Sequence, residues 1–66
     1  PAVFNAANEV AVAAFLAGKV PFLAISRIVE HTLSRLKTVE PNSLAEVISL
    51  DHQARMIATA HLPQVS

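Results

Sequence analysis

The first third of the chain contains a continuous apolar run. Residues 10–17 read Val-Ala-Val-Ala-Ala-Phe-Leu-Ala, which is more than two helical turns without a polar side chain. Asn5 is the predicted N-cap of a helix over 5–17, and Gly18 is the predicted left-handed residue at its end. Glu9 is expected near the positive end of the helix dipole. A helix that is apolar on every side should be surrounded by protein, and its alanines should let neighbouring helices approach closely.

A second helix shows the one-sided pattern that is typical of a surface helix. It is predicted to begin at Phe22 or Leu23 and to end near Leu36. Its apolar residues recur at helical spacing and form one dry face: Phe22, Ile25, Ile28, Val29, Leu33 and Leu36. Two basic residues, Arg35 and Lys37, should lie favourably at the negative end of its dipole.

A polar segment around Pro41 separates this helix from the rest of the chain. Ser43 and Glu46 have the spacing of a capping box, in which each side chain accepts a hydrogen bond from a backbone N–H at the helix start. We therefore predict a short helix over 44–49. Its expected inward residues are Leu44, Val47 and Ile48.

The last predicted helix covers residues 52–61, with Asp51 as its N-cap and Pro63 as its end. Its expected inward residues are Ala54, Ile57, Ala58 and Met56. Since no segment alternates apolar and polar residues at the period of a strand, the fold class is all-α. We expect a small helical bundle of three to four helices.

Composition indicates a piece of a larger body. At 66 residues the chain is one small domain, and a domain of that size buries only about 60% of its unfolded surface. Hydrophobic residues make up 53% of the chain, and charged residues make up 15%, below the usual ~25%. Such a balance suggests apolar faces that are meant for neighbours. Because the chain begins at Pro1 instead of Met, we expect an excised segment.

Charge and hydropathy exclude several classes of function. The formal net charge is zero, which argues against a nucleic-acid partner, since phosphate binding needs a basic excess. The apolar run over 10–17 is too short to cross a bilayer, and no signal-peptide order is present. With no Cys, the chain has neither disulfides nor thiolate metal ligands. These features suggest a cytoplasmic protein without a membrane partner.

No set of residues has the spacing of a catalytic or metal site. His31, His52 and His61 lack the i, i+4 spacing of a zinc helix, and we interpret them as partly exposed surface histidines. Asn5 and Asn8, with Glu9, form the one polar cluster in an apolar background. Capping and hydrogen bonds to the preceding segment explain this cluster more simply than a contact to a ligand. We therefore predict no catalytic, cofactor-binding or metal-binding residue.

Residues 1–18 read Pro-Ala-Val-Phe-Asn-Ala-Ala-Asn-Glu-Val-Ala-Val-Ala-Ala-Phe-Leu-Ala-Gly. This segment resembles the C-terminal region of the 1-deoxy-D-xylulose 5-phosphate reductoisomerases. Residues 22–36 are similar to the following helix of that family. Residues 40–41 and 44–51 are similar to its short penultimate segment, and residues 52–55 to its last helix.

The resemblance implies a parent enzyme of the non-mevalonate, or methylerythritol phosphate, route to isoprenoids in bacteria. The family rearranges 1-deoxy-D-xylulose 5-phosphate and reduces the product with NADPH to 2-C-methyl-D-erythritol 4-phosphate. It needs a divalent cation such as magnesium or manganese. Its metal, phosphate and nucleotide sites belong to two preceding domains, so no site residue is carried over to this chain. The resemblance thus assigns residues 1–66 to a non-catalytic C-terminal helical domain, whose partner is the catalytic domain.

The family's bundle also includes a helix upstream of residue 1, and this chain lacks it. We expect an incomplete four-helix bundle, with a groove along 5–17 or along the apolar face of 22–36. An exposed apolar groove favours association, so the isolated chain should form a homodimer, through helix exchange or simple pairing. A different class of function remains open at this point. The chain could be a stand-alone interaction module whose groove binds an amphipathic helix.

Overall fold

Three helices make up the described chain. The structure, a computed structural model, describes residues 2–36 and 40–65, the last two of them without their side chains. The helices are α1 (Ala2–Leu16), α2 (Ala24–Arg35) and α3 (Leu44–Val65). Each helix packs against the other two, and the bundle measures 36 × 18 × 16 Å. The prediction of a small all-α bundle is confirmed.

Helix α1 begins three residues earlier than predicted, so Asn5 is not its N-cap. Asn5 lies inside the helix and is exposed. No Gly or Pro interrupts residues 2–16, so the backbone can continue as a helix on the N-terminal side of Asn5. Ala6 and Ala7, directly after Asn5, are fully buried and hold this part of α1 in the core.

The end of α1 agrees with the prediction. Gly18 has a φ of 76°, which lies in the left-handed region that glycine adopts without strain. The N–H of Gly18 donates to the carbonyl of Phe15 at 3.0 Å, and that of Lys19 donates to Ala14 at 2.9 Å. These two bonds form a Schellman motif, which satisfies carbonyls at the helix end. The chain then turns inward at Val20, which is buried.

Helix α2 is slightly shorter than predicted, and only the middle of its apolar face is dry. Ile28 and Val29 are buried, whereas Phe22 and Leu33 are exposed. Thr32 is also buried, and its hydroxyl donates to the carbonyl of Ile28 at 2.9 Å, so the buried hydroxyl keeps a hydrogen bond. Arg35 lies in the last turn as expected, and Lys37 is outside the described residues.

The start of α3 confirms the capping prediction. The hydroxyl of Ser43 accepts from the N–H of Glu46 at 3.2 Å. The carboxylate of Glu46 accepts from the N–H of Asn42 at 2.7 Å, one residue before the position in the standard capping box. Ser43 is therefore the N-cap.

The predicted break at Asp51 is wrong, because α3 is one continuous helix of 22 residues. Asp51 accepts from the Nε of Arg55 at 2.8 Å, so it is a helical partner one turn away instead of a cap. Leu50 is buried at the predicted junction, which fastens this turn to the core. Pro63 lies inside α3, two residues before its end, where the prediction had placed a stop.

The core between the helices consists mainly of small side chains. Buried alanines come from every helix: Ala6, Ala7, Ala11, Ala14, Ala24, Ala54 and Ala58. The largest fully buried side chains are those of Ile28 and Thr32. Close helix approach through alanine is thus confirmed, as is the inward direction of Ala54 and Ala58.

Other inward predictions fail. Leu44, Ile48 and Met56 are exposed on α3, and Val47 and Ile57 are only half-buried. Helix α1 is not surrounded by protein within this chain either, because Leu16 is 76% exposed. Many large apolar side chains therefore lie outside the core.

Candidate interaction surface

An apolar groove runs between the start of α1 and the exposed side of α2. We define the α1/α2 groove by its lining residues, which are Phe4, Asn8, Phe22, Leu23, Ile25, Ser26, Val29, Glu30 and Leu33. Its volume is about 440 Å³. The lining residues of α2 recur at helical spacing, so they form a continuous stripe along that helix. The groove lies along the 22–36 face, as the sequence predicted.

Large apolar side chains of the α1/α2 groove are exposed, so they are accessible to a partner. Phe22 is 66% exposed and Leu23 is 71% exposed. The ring of Phe22 also contacts that of Phe15 edge to face, with centroids 5.5 Å apart. This contact with α1 holds the ring of Phe22 in place. Phe4 completes the groove from α1. An exposed patch of this kind is typical of a protein–protein contact.

A second apolar surface lies on the outer side of α3. Leu44, Ile48 and Met56 share one face of the helix at four- and eight-residue spacing, with His52 between them. All four residues are exposed. A shallow depression of about 390 Å³ follows along this face, lined by His52, Arg55, Met56, Thr59 and Ala60. This face is less enclosed than the α1/α2 groove and has no facing helix.

The polar cluster predicted at the start of α1 does not act as one unit. Asn5 is exposed and Asn8 lines the α1/α2 groove, whereas Glu9 accepts from the Nη2 of Arg55 on α3 at 2.9 Å. Arg55 is also bound by Asp51, and these two hydrogen bonds raise the pKa of the guanidinium, that with Asp51 most. Glu9 therefore links α1 to α3. It lies in the middle of α1, and not near the positive end of the helix dipole as predicted.

Two of the three histidines come together, which the sequence analysis missed. The rings of His31 on α2 and His61 on α3 are stacked, with centroids 3.8 Å apart and planes 5° apart. Both residues are half-buried, which agrees with the interpretation as partly exposed histidines, but the contact between them is not predicted by the sequence. His52 is exposed, as predicted. No local pattern could have found the pair, because its members belong to different helices.

Three serine side chains form local hydrogen bonds within or next to their own helices. The hydroxyl of Ser26 donates to the carbonyl of Leu23 at 3.4 Å, and that of Ser34 donates to His31 at 2.7 Å. Ser49 accepts from the side chain of Gln53 at 3.0 Å. Within residues 2–36 and 40–65, no three His, Asp or Glu side chains are arranged to hold a metal ion. In the same part of the chain, no helix is long and apolar enough to cross a membrane.

Comparison with known proteins places these features in a family. The profile of the family described as the DXP reductoisomerase C-terminal domain matches residues 1–57. Among curated proteins, the 1-deoxy-D-xylulose 5-phosphate reductoisomerase of Zymomonas mobilis is 53% identical over 60 residues, which covers 91% of this chain. The proteins of the same name from Xanthomonas axonopodis and Bacillus subtilis are 55% and 54% identical, over 92% and 83% of this chain.

The similarity covers only a small part of each relative. The chain spans 16% of the Zymomonas and Xanthomonas proteins and 14% of the Bacillus protein. No solved structure matches the chain.

Proposed function

The chain belongs to the family of DXP reductoisomerase C-terminal domains, and from this premise we propose that residues 1–66 are the C-terminal helical domain of such an enzyme. The observation that carries the proposal is the match of the family profile over residues 1–57. Identities above 50% to relatives with the reductoisomerase name support it. The bacterial sources of these relatives support a location in a bacterial cytoplasm.

The parent enzyme, in this proposal, converts 1-deoxy-D-xylulose 5-phosphate to 2-C-methyl-D-erythritol 4-phosphate in isoprenoid biosynthesis. NADPH supplies the hydride, and a divalent cation such as magnesium or manganese binds the substrate. Both would be held by the larger part of the protein, which these 66 residues do not include. Among the described residues, Ser43 caps a helix and Glu9 connects two helices, and such structural uses of polar side chains support a non-catalytic role for the domain.

The role of the domain is to support the catalytic domain of the same chain. Exposed apolar side chains are common on a domain that packs against another, because that contact removes them from water. This chain has two such surfaces, the α1/α2 groove and the outer face of α3. A free-standing domain with so small a core would gain stability from either contact.

When the chain is isolated, we propose that a second copy of it covers the α1/α2 groove. The formal net charge of zero leaves little long-range repulsion between two copies. Burying one Phe or Leu side chain is worth about 1.5–3 kcal/mol, and each copy offers Phe22, Leu23 and Leu33. A dimer formed in this way, by pairing or by helix exchange, accounts for the apolar composition without any further partner.

The stand-alone interaction module predicted from the sequence would use the same groove. On that alternative, the complete protein has no reductoisomerase activity, and these 66 residues bind an amphipathic helix saturably. Family membership favours the enzyme domain over this alternative.

The test is an assay of the complete gene product. Purified protein should oxidise NADPH when 1-deoxy-D-xylulose 5-phosphate and Mg²⁺ are both present, as followed by absorbance. The 66-residue chain alone, as a control, should neither oxidise NADPH nor bind it saturably. Absence of activity in the complete protein would refute the enzyme assignment. Tight NADPH binding by the short chain would refute the non-catalytic role.

A further inference from the structure

The stacked pair His31–His61 is the most unusual side-chain contact in the bundle. It joins the second half of α2 to the last turns of α3, and the two rings are nearly parallel at a centroid distance of 3.8 Å. His61 lies beyond residues 1–57, the stretch that the family profile matches. The family profile therefore does not describe the α3 member of the pair.

Neutral imidazoles suit this arrangement, and charged ones do not. The Nδ1 atom of His61 is buried and has no hydrogen-bond partner among the described residues. A neutral ring leaves only one donor or one acceptor unsatisfied there, whereas a protonated ring would leave a positively charged N–H without water or a carboxylate. Desolvation lowers the pKa of His61, and the charge of His31 lowers it further.

The groups on α2 near the pair add positive charge. Arg35 lines the same depression of about 310 Å³ as both histidines, together with Ile57 and Ala60 of α3. Arg27 precedes His31 by one turn and is exposed. Glu30 is the nearest acid along the helix, but its side chain lines the α1/α2 groove instead.

The groups on α1 and its following turn do not compensate for this charge. Lys19 shares a depression with Leu62, the residue after His61. The acid of α1, Glu9, is bound to Arg55, two turns before His61 on α3. Protonation would thus place two like charges 3.8 Å apart, among basic neighbours and without a facing carboxylate among the described groups.

Metal binding does not explain the pair. Because the rings are stacked with their planes 5° apart, the nitrogen lone pairs run in parallel planes and do not converge on one ion. The neighbouring Arg35 also disfavours a cation.

We propose that the His31–His61 stack is an acid-sensitive clasp, which holds α2 against α3 while the ring of His61 is neutral and releases the two helices when that ring takes up a proton. The direction of the pH dependence of stability follows from the difference in proton binding between the folded and unfolded states. A histidine whose pKa is lower in the folded state binds more protons when unfolded, so stability is full above the unfolded value of about 6.5. Stability is then lost as the pH falls from 6.5 toward the folded value, and each unit between the two values changes the unfolding equilibrium about tenfold.

The first test compares urea unfolding of the 66-residue chain at pH 7.5 and pH 5.0, followed by circular dichroism at one concentration. The urea midpoint should be lower at pH 5.0. Both His61→Phe and His31→Phe keep an aromatic ring but remove the proton site, so each should at least halve this difference. The control variant, His52→Phe, changes an exposed histidine of α3 and should keep the full difference. Equal pH dependence in all three variants would overturn the proposal.

A second test needs no variant to fold. NMR titration of the ring protons in the unchanged chain should give His61 a midpoint below the unperturbed histidine value of about 6.5. Loss of contacts between the rings of His31 and His61 should accompany protonation of His61. If His61 titrates at or above that value, or if the ring contacts persist when its ring is charged, the clasp does not exist.

Discussion

The interior of the bundle and the α1/α2 groove use opposite kinds of apolar side chain. The interior is built mainly of alanines, and Ile28 is the one large aliphatic side chain that is fully buried. The groove carries Phe4, Phe22, Leu23 and Leu33, all of them exposed. The chain thus keeps much of its capacity for hydrophobic burial on the outside.

This difference indicates how the domain is stabilised. Hydrophobic stabilisation grows with the apolar area removed from water, so an interior of methyl groups contributes little per residue. What the interior provides is close helix approach and a defined arrangement of the three helices. Covering the groove would remove larger apolar side chains from water and contribute further stability. We infer that the fold presents an exposed apolar surface and needs a partner over it for full stability.

The largest effect should come from Ile28, the largest aliphatic side chain that is fully buried among the described residues. Ile28→Ala should lower the free energy of unfolding by about 2–5 kcal/mol, because it leaves a cavity that alanine neighbours cannot fill. The matched control is Leu16→Ala, at a side chain that is 76% exposed and outside the groove. Urea unfolding followed by circular dichroism measures both. Equal losses in the two variants would mean that the interior is no more important than the surface.

The prediction for Ile28 and its control depends on side-chain burial that only the structure reveals. Gly18 and Ser43 were predicted correctly from the sequence because a helix end is a local event, decided by a few neighbouring residues. Asp51 was not, because the same carboxylate can cap a helix or pair with Arg55 one turn later, and the buried Leu50 decides between the two. Local signals were ambiguous at that position, as they were at Asn5.

A second prediction concerns the close packing of the interior. Ala58 is fully buried, so Ala58→Leu should force the helices apart and cost about 1–3 kcal/mol. Ala13 is exposed on α1, and Ala13→Leu should leave the free energy of unfolding within about 0.5 kcal/mol of the original. Thermal unfolding of the two leucine variants under the same conditions is the measurement. A stabilised Ala58→Leu variant would show that the interior has unfilled space.

Contacts between helices were beyond the sequence for a physical reason. The bond between Glu9 and Arg55 joins residues 46 positions apart, and the histidine stack also joins two helices. Neither pair leaves a periodic mark in the chain. The groove was better anticipated, because the family resemblance implies an incomplete four-helix bundle with a groove along 5–17 or 22–36. The contribution of Phe4 to the groove is not predicted, because the sequence favours a helix start at Asn5, after Phe4, whereas α1 begins at Ala2.

The smallest effect should come from the ion pair that bridges α1 and α3. Glu9→Gln removes the partner of Arg55, and exposed pairs of this kind contribute little because water and salt screen them. We expect a lower urea midpoint than in the unchanged chain, by less than Ala58→Leu produces, and no difference at 1 M NaCl. Glu40→Gln, at an exposed carboxylate in the loop before α3, controls for the change in net charge. An effect as large as that of Ile28→Ala would mean that the ion pair, and not the interior, holds the helices together.

Light scattering of the 66-residue chain across a dilution series tests most directly whether the groove needs a cover. The account predicts a dimer that persists on dilution. It also predicts that Leu23→Ser, in the groove, weakens the dimer at least about tenfold, since burying a Leu side chain is worth about 1.5–3 kcal/mol. Leu16→Ser, at a leucine of similar exposure outside the groove, should leave the dimer unchanged. A folded monomer at every concentration would contradict the account, because the three helices would then be stable with the groove open to water.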